Sequence, residues 1–294
     1  MTTLFQIPGC TATEHSALRQ NRVRQFSLWA VLILCAAGAQ ALARDRIDSP
    51  LIAVASSFRG LWPDLMTVYR AETGLSEPRA SFASSGLLTT QIRHGAPFEL
   101  YLSADQATVE TLHSLGKTRD EGITLAMGTL VLVAKHDDAS RIGKGSKPSP
   151  GVPATVELPT LDLLRSAAER SKPFKLAIPN PRHAPYGLAA RQALEYAGLW
   201  PLPPGQLLSA ENAAQTLQFA LTGAVDYAIV PTTLIIQASG NLTYAPVDPE
   251  SYTPVIHQLV LLQRATLQAE TLFAWLQGTS AASVLERFAL LPDK

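Results

Sequence analysis

The chain has 294 residues, 47% of them hydrophobic and 16% charged, which is enough apolar material for one large core or two moderate ones. Its 24 Lys and Arg are balanced by 24 Asp and Glu, so no basic surplus marks a nucleic-acid partner. The only two cysteines are Cys10 and Cys35.

Arg19, Arg22 and Arg24 precede an apolar run from Phe26 to Ala37, and Ala39-Gln40-Ala41 and Ala41-Leu42-Ala43 then offer small-x-small cleavage sites. That pattern predicts a secretory signal peptide over residues 1–43 with a long leader. The apolar run falls short of the ~20 residues needed to span a membrane. Both cysteines lie in this leader, so the exported chain is expected to have no disulfide, thiol nucleophile or cysteine metal site. Leu34 is bulky where a lipid-attachment signal before Cys35 would carry a small residue, and a soluble exported protein is expected. Loss of three Arg and one Glu with the leader leaves a mature chain at −2.

Leu51–Ala55 has the pattern of a buried strand; Ser56-Ser57 follows, and Phe58 to Ala71 is predicted helical with Leu61, Leu65, Val68 and Tyr69 on one side. The unit then repeats. An apolar run beginning at Ala80 ends in Ser84-Ser85-Gly86, a helix-like segment covers Leu87 to His94, and Gly95-Ala96-Pro97 turns the chain into a strand at Leu100–Leu102. A helix start leaves four N–H groups without intrahelical partners and carries the positive end of the dipole, so with added hydroxyls it suits an oxyanion. A single Ser-Ser pair is more often only an N-cap. Two such units in one half of the chain can aim both helix starts at one point, at the carboxyl ends of the strands where open parallel sheets bind ligands.

Thr108–Leu115 is predicted helical, and Leu130–Ala134 is a β-rich run of the kind that passes between two lobes. A Gly-, Ser-, Pro- and Lys-rich loop is expected from Lys135 to Pro153, then a helix over Leu161–Glu169 capped by Thr160 and a strand over Lys175–Ile178. Asn180 to Gly187 is a proline-stiffened turn, with Arg182 and His183 expected on the surface beside a cleft, before a helix from Leu188 to Ala197. Ser209 to Ala214 resembles another helix start: Glu211 or Asn212 would cap the helix Ala214–Leu221, and Ala213 would present a main-chain donor. A strand at Asp226–Val230, a helix at Leu234–Ala238 opened by Pro231-Thr232-Thr233, a loop from Tyr244 to Pro254, a returning strand at Leu259–Leu262 and helices at Leu267–Gln277 and Ala281–Leu290 complete the chain. Two crossings between lobes make a hinge.

The runs L-I-A-V-A-S-S, S-F-A-S-S-G, H-G-A-P-F-E-L-Y-L-S-A-D-Q, M-G-T-L-V-L-V-A and A-I-P-N-P-R-H-A-P-Y-G-L-A-A, in this order, resemble the periplasmic molybdate-binding proteins of ABC transporters, within the type II periplasmic solute-binding family. The similarity runs from about Leu51 to Leu291. It implies an α/β fold of two Rossmann-like lobes joined by a two-strand hinge, lobe I being residues 47–130 plus 256–294 and lobe II residues 131–255. It implies a periplasmic monomer that captures molybdate or tungstate, a metal bound as its oxyanion and not as a cation, and hands it to an ABC permease, with no cofactor, catalysis or nucleic-acid partner. Carried over by position, the ligand groups are the side chains of Ser56 and Ser85 and the main-chain N–H groups of Tyr186 and Ala213, while Ser57 and Ser84 are left to capping or the flank. Where many relatives use a tyrosine hydroxyl, this chain has Pro231, which offers neither hydroxyl nor N–H. A subset of the family lacks that tyrosine; Thr232, Thr233 or the Tyr186 hydroxyl are the groups that could substitute.

A dianion enclosed by preoriented neutral donors gains a charge-assisted hydrogen bond from each, so no Lys or Arg is required. Sulfate or thiosulfate are the alternative ligands. A serine hydrolase is the alternative of another class, but G-x-S-x-G is absent and none of His94, His113, His136, His183 or His257 stands in a triad context.

Overall fold

A computed structural model describes residues 49–135, 161–169, 174–236, 238 and 242–291. The expected signal peptide, the Thr160 cap and the loop after Lys135 lie outside the described residues. Two five-stranded sheets with flanking helices make up two lobes. The first has strand order β2-β1-β3-β10-β4, from β1 (Leu51–Ala55), β2 (Arg79–Ala83), β3 (Leu100–Ser103), β4 (Ile123–Gly128) and β10 (Val255–Leu261). The second has order β7-β6-β8-β5-β9, from β5 (Leu130–Lys135), β6 (Leu176–Pro179), β7 (Leu207–Ala210), β8 (Tyr227–Pro231) and β9 (Leu242–Pro246). Both follow one plan. Three strands run parallel, and the fourth and fifth add antiparallel pairings: β10 to β3 and β4, and β5 to β8 and β9.

The chain passes from the first sheet to the second at Thr129, between β4 and β5, and returns between β9 and β10 through a 3₁₀ turn at Pro249–Ser251. The two passes lie side by side, with Gly128 opposite Val255. The strands that carry the crossings are almost wholly apolar because helices cover both sheet faces; Leu130, Leu132 and Val133 are fully buried.

In the first lobe lie α1 (Trp62–Thr73), α2 (Ser85–Arg93), α3 (Gln106–Ser114), α8 (Leu267–Leu276) and α9 (Thr279–Arg287). The second carries α4 (Asp162–Glu169), α5 (Pro185–Tyr196), α6 (Ala213–Thr222) and the single turn α7 (Thr232–Ile235). Trp62, Leu65, Met66 and Tyr69 recur at helical spacing on the buried side of α1, which ends at Gly74 in the left-handed region, φ 67°, a conformation that costs glycine nothing.

Helix starts differ from the periodicity-based expectation in a consistent way. The first helix begins at Trp62 and not Phe58, because Ser56–Phe58 forms a 3₁₀ turn and Pro63 fixes the first α-turn. By contrast α2, α5 and α6 begin one to three residues earlier than expected, at Ser85, Pro185 and Ala213, since caps and prolines set a helix start and apolar spacing does not. Asn212, not Glu211, caps α6, its side chain accepting from Gln215 N at 3.0 Å. The stretch from Tyr244 to Pro254 is not all loop: β9 pairs with β5 at the sheet edge, where Pro246 opposite Val131 is tolerated at the end of an edge strand.

Candidate ligand-binding site

Four strand-to-helix junctions meet where the two lobes face each other. Ser56 and Ser57 follow β1, and Ser84 and Ser85 follow β2. From the other lobe, Ala184, Pro185 and Tyr186 open α5 after β6, and Ala213 opens α6 after β7. These residues line one small cavity with Ala55 and Ala104. All four residues expected to hold a ligand, Ser56, Ser85, Tyr186 and Ala213, are therefore brought together, each under 5% exposed. Every contributing junction lies at the carboxyl end of a parallel strand, as helix-covered sheets place their ligand sites.

The hydrogen bonds give each hydroxyl a direction. Ser85 Oγ accepts from Ala104 N at 3.0 Å, while its carbonyl accepts from the Tyr101 hydroxyl at 2.9 Å. Ser56 Oγ accepts from Ala213 N at 3.2 Å, a bond that crosses from one lobe to the other. Both hydroxyls thus accept from a main-chain N–H and keep their own proton to donate, and an oxygen that is itself accepting is a stronger donor. The space left within this cavity is only about 10 Å³, so the groups that line it from the two sides stand in near contact.

Ser57 and Ser84, which the sequence assigned to capping or the flank, also line this cavity. Ser84 is the residue before α2, but its side chain makes no capping bond; its Oγ lies 2.8 Å from His183 Nδ1. Ser57 Oγ lies 3.4 Å from His257 Nε2. The Ser-Ser doublets were the available signal for both, and only the folded chain separates the four hydroxyls by partner. His257 is wholly buried on β10 behind the serines, and burial pushes its pKa down to about 3 against a smaller upward effect of the Ala126 main chain, so the ring is neutral. Nothing in the sequence around His257 marks it.

Arg182 is exposed, as expected, but His183 is not a bystander on the cleft surface: its side chain is only 19% exposed and meets Ser84. The three groups that could replace the hydroxyl absent at Pro231 are otherwise engaged. Thr232 Oγ1 pairs with Thr129 Oγ1 at 2.7 Å, Thr233 Oγ1 donates to the Ser57 carbonyl at 2.7 Å, and the Tyr186 hydroxyl lies 3.3 Å from His257 Nε2. Neither threonine lines the cavity. A roomier groove of about 330 Å³ shares Ala104 and Pro185 with the cavity, but Asp105 and Glu110 line it, and carboxylates repel an anion. Burial raises the Asp105 pKa there.

The model of the family described as bacterial extracellular solute-binding protein matches residues 50–289. The chain is similar to the molybdate-binding protein ModA of Azotobacter vinelandii, 29% identical with 90% of this chain and 97% of the relative covered, and to ModA of Rhodobacter capsulatus, 26% identical with 83% and 88% covered. Among solved structures, the Azotobacter vinelandii periplasmic molybdate-binding protein superposes with a TM-score of 0.68 over 84% of this chain and all of that one, at 24% identity, so the two share a fold. With two lobes, a donor-lined cavity between them and a family match over both, this chain belongs to the bacterial extracellular solute-binding protein family.

Proposed function

We propose that this protein captures molybdate or tungstate in the periplasm, after removal of residues 1–43, and delivers it to an ABC importer. The observation that carries this is the convergence of Ser56 and Ser85 from one lobe with Tyr186 and Ala213 from the other around a single cavity. A tetrahedral dianion entering there accepts from both serine hydroxyls and both amides, replacing the cross-lobe bond between Ala213 N and Ser56 Oγ with one bond to each. The similarity to two molybdate-binding ModA proteins supports the choice of anion.

The moving bodies in this proposal are residues 47–130 with 256–294 and residues 131–255, hinged where β4 meets β5 and where the chain returns to β10. The protein acts as a monomer, meets its permease through surfaces on both sides of the closed cleft, binds no nucleic acid and turns nothing over. The Ser84–His183–Glu211 string is not read as a hydrolase triad. His183 Nε2 is 3.8 Å from Glu211 Oε2, beyond hydrogen-bond reach, and Ser84 is 3% exposed in a cavity with no room for an acyl group.

Calorimetric titration and thermal shift with molybdate, tungstate, sulfate, phosphate and thiosulfate test the function, since a tight ligand raises the unfolding midpoint by mass action. Molybdate and tungstate are expected to give the largest shifts. A protein that responds to none of the five, or to thiosulfate alone, would sink the assignment.

A further inference from the structure

Gly86 and His183 approach each other across the cleft more closely than side chains normally allow. Gly86 is the second residue of α2 in the first lobe; its N–H donates to the His183 carbonyl of the second lobe at 2.9 Å. A Cβ placed on Gly86 would lie 2.8 Å from that carbonyl oxygen, 2.9 Å from His183 Cβ and 3.0 Å from His183 Cα, all of them atoms that cannot swing aside. Beside this main-chain contact, Ser84 Oγ meets His183 Nδ1 at 2.8 Å. One residue of the second lobe is thus held twice, by backbone and by ring, at the helix start that carries Ser85.

The loop that presents His183 is itself rigid. Asn180 N donates to the Ala210 carbonyl at 2.7 Å, the Asn180 carbonyl accepts from Ala184 N at 2.9 Å, and the Asn180 side chain accepts from Arg182 N at 3.1 Å. A rigid loop seated against a helix lacking a Cβ at the point of contact transmits position. When His183 is in place, Tyr186, three residues on, and Ser85, one residue before Gly86, are in register across the cavity.

We infer that the seating of His183 on Gly86 and Ser84 is the latch that holds the lobes closed, and that His183 is a positioning residue which touches no ligand. This rests on the proposed function, because the latch matters to binding only if the cavity between the lobes is the binding site. Gly86→Ala deletes no donor that lines the cavity and introduces no backbone strain, and alanine is the better helix former. The substitution therefore separates closure from folding. Affinity is reduced by whatever fraction of the protein can no longer close.

The test is molybdate titration with small-angle scattering on the parent, Gly86→Ala, His183→Ala and His183→Asn. Gly86→Ala is expected to keep or raise the ligand-free unfolding midpoint, to have a larger radius of gyration than the parent both with and without molybdate, and to bind at least about tenfold more weakly. His183→Ala is expected to weaken binding as well. His183→Asn, whose amide oxygen can take the place of Nδ1 while its carbonyl still accepts from Gly86, is expected to recover most of the loss. A Gly86→Ala protein with the parent's affinity and radius overturns the latch. If the parent itself binds no tetrahedral oxyanion, the functional assignment falls separately, and the ligand-free radii still decide the latch: equal radii overturn it.

Discussion

The Tyr186 hydroxyl and His257 Nε2 lie 3.3 Å apart, joining the start of α5 in one lobe to β10 in the other. A Cβ on Gly128 would come within 1.9 Å of the tyrosine oxygen, so the hydroxyl is packed against the crossing between the sheets, where His257 Nε2 engages it. Burial holds its pKa well above 10, so it remains a donor at every physiological pH. Tyr186→Phe is accordingly expected to leave molybdate affinity within about threefold of the parent while costing about 1 kcal/mol of stability in denaturant unfolding, the worth of one buried hydrogen bond. A large affinity loss with no stability loss would place the hydroxyl in the ligand shell.

His257 makes acid stability testable. Its folded pKa of about 3 lies below the ordinary value of 6.5, so between those values the unfolded chain binds a proton that the folded chain refuses. The contribution is complete above pH ~6.5 and is lost as pH falls towards 3, at up to roughly 1.4 kcal/mol per unit. His257→Leu, although it leaves the Tyr186 hydroxyl without its partner, is expected to flatten the acid limb of unfolding free energy against pH. An equally steep limb in the variant would assign the acid sensitivity to the carboxylates.

Ser56→Ala and Ser85→Ala each delete a charge-assisted donor in a buried site and are expected to weaken molybdate binding by about 1.5 to 3 kcal/mol, or roughly one to two decades. Ser84→Ala is expected to cost less than Ser85→Ala, because it removes only the ring half of the His183 contact at 2.8 Å and leaves the Gly86 main-chain bond in place. Parent-like titrations of both Ser56→Ala and Ser85→Ala would put the site elsewhere.

Ala213 offers a way to remove a backbone donor. It is the first residue of α6, behind an extended Asn212 with φ −159° and ψ 171°, the backbone that suits a following proline. Ala213→Pro is expected to keep the helix while lowering molybdate affinity by at least about a decade, since the N–H is lost and the ring Cδ takes its place facing Ser56 Oγ. An unchanged Kd in calorimetry would show that this amide takes no part.

Much of this was legible in the sequence because two kinds of signal coincided. Uninterrupted apolar runs such as Leu51–Ala55 and Leu130–Ala134 gave strands, and the Ser-Ser doublets, the Asn180–Gly187 turn and Ser209–Ala214 all supply residues to one cavity, although caps and prolines moved each helix start from where apolar spacing put it. What stayed hidden depended on distance in the chain. Gly86 looked like a member of a helix start, and only its approach to His183, nearly a hundred residues on, explains why a side chain is excluded there. His257 sits in an apolar strand with no local partner, and β9 carries a proline that periodicity reads as loop until β5 is beside it.

The strand orders also set a timetable for folding. Every strand of the second sheet, β5 to β9, is contiguous in sequence, so that lobe has all its sheet partners once residue 246 has been made. The first sheet does not: β10 lies between β3 and β4, and among the described residues β4 pairs with no other strand. Until the last forty or so residues emerge, the first lobe has three parallel strands and a fourth without its sheet partner, and the turn bearing Ser56 and the helix start bearing Ser85 rest on an unfinished sheet. A chain whose N-terminal lobe needs its last strand therefore leaves that lobe's sheet incomplete for most of its synthesis.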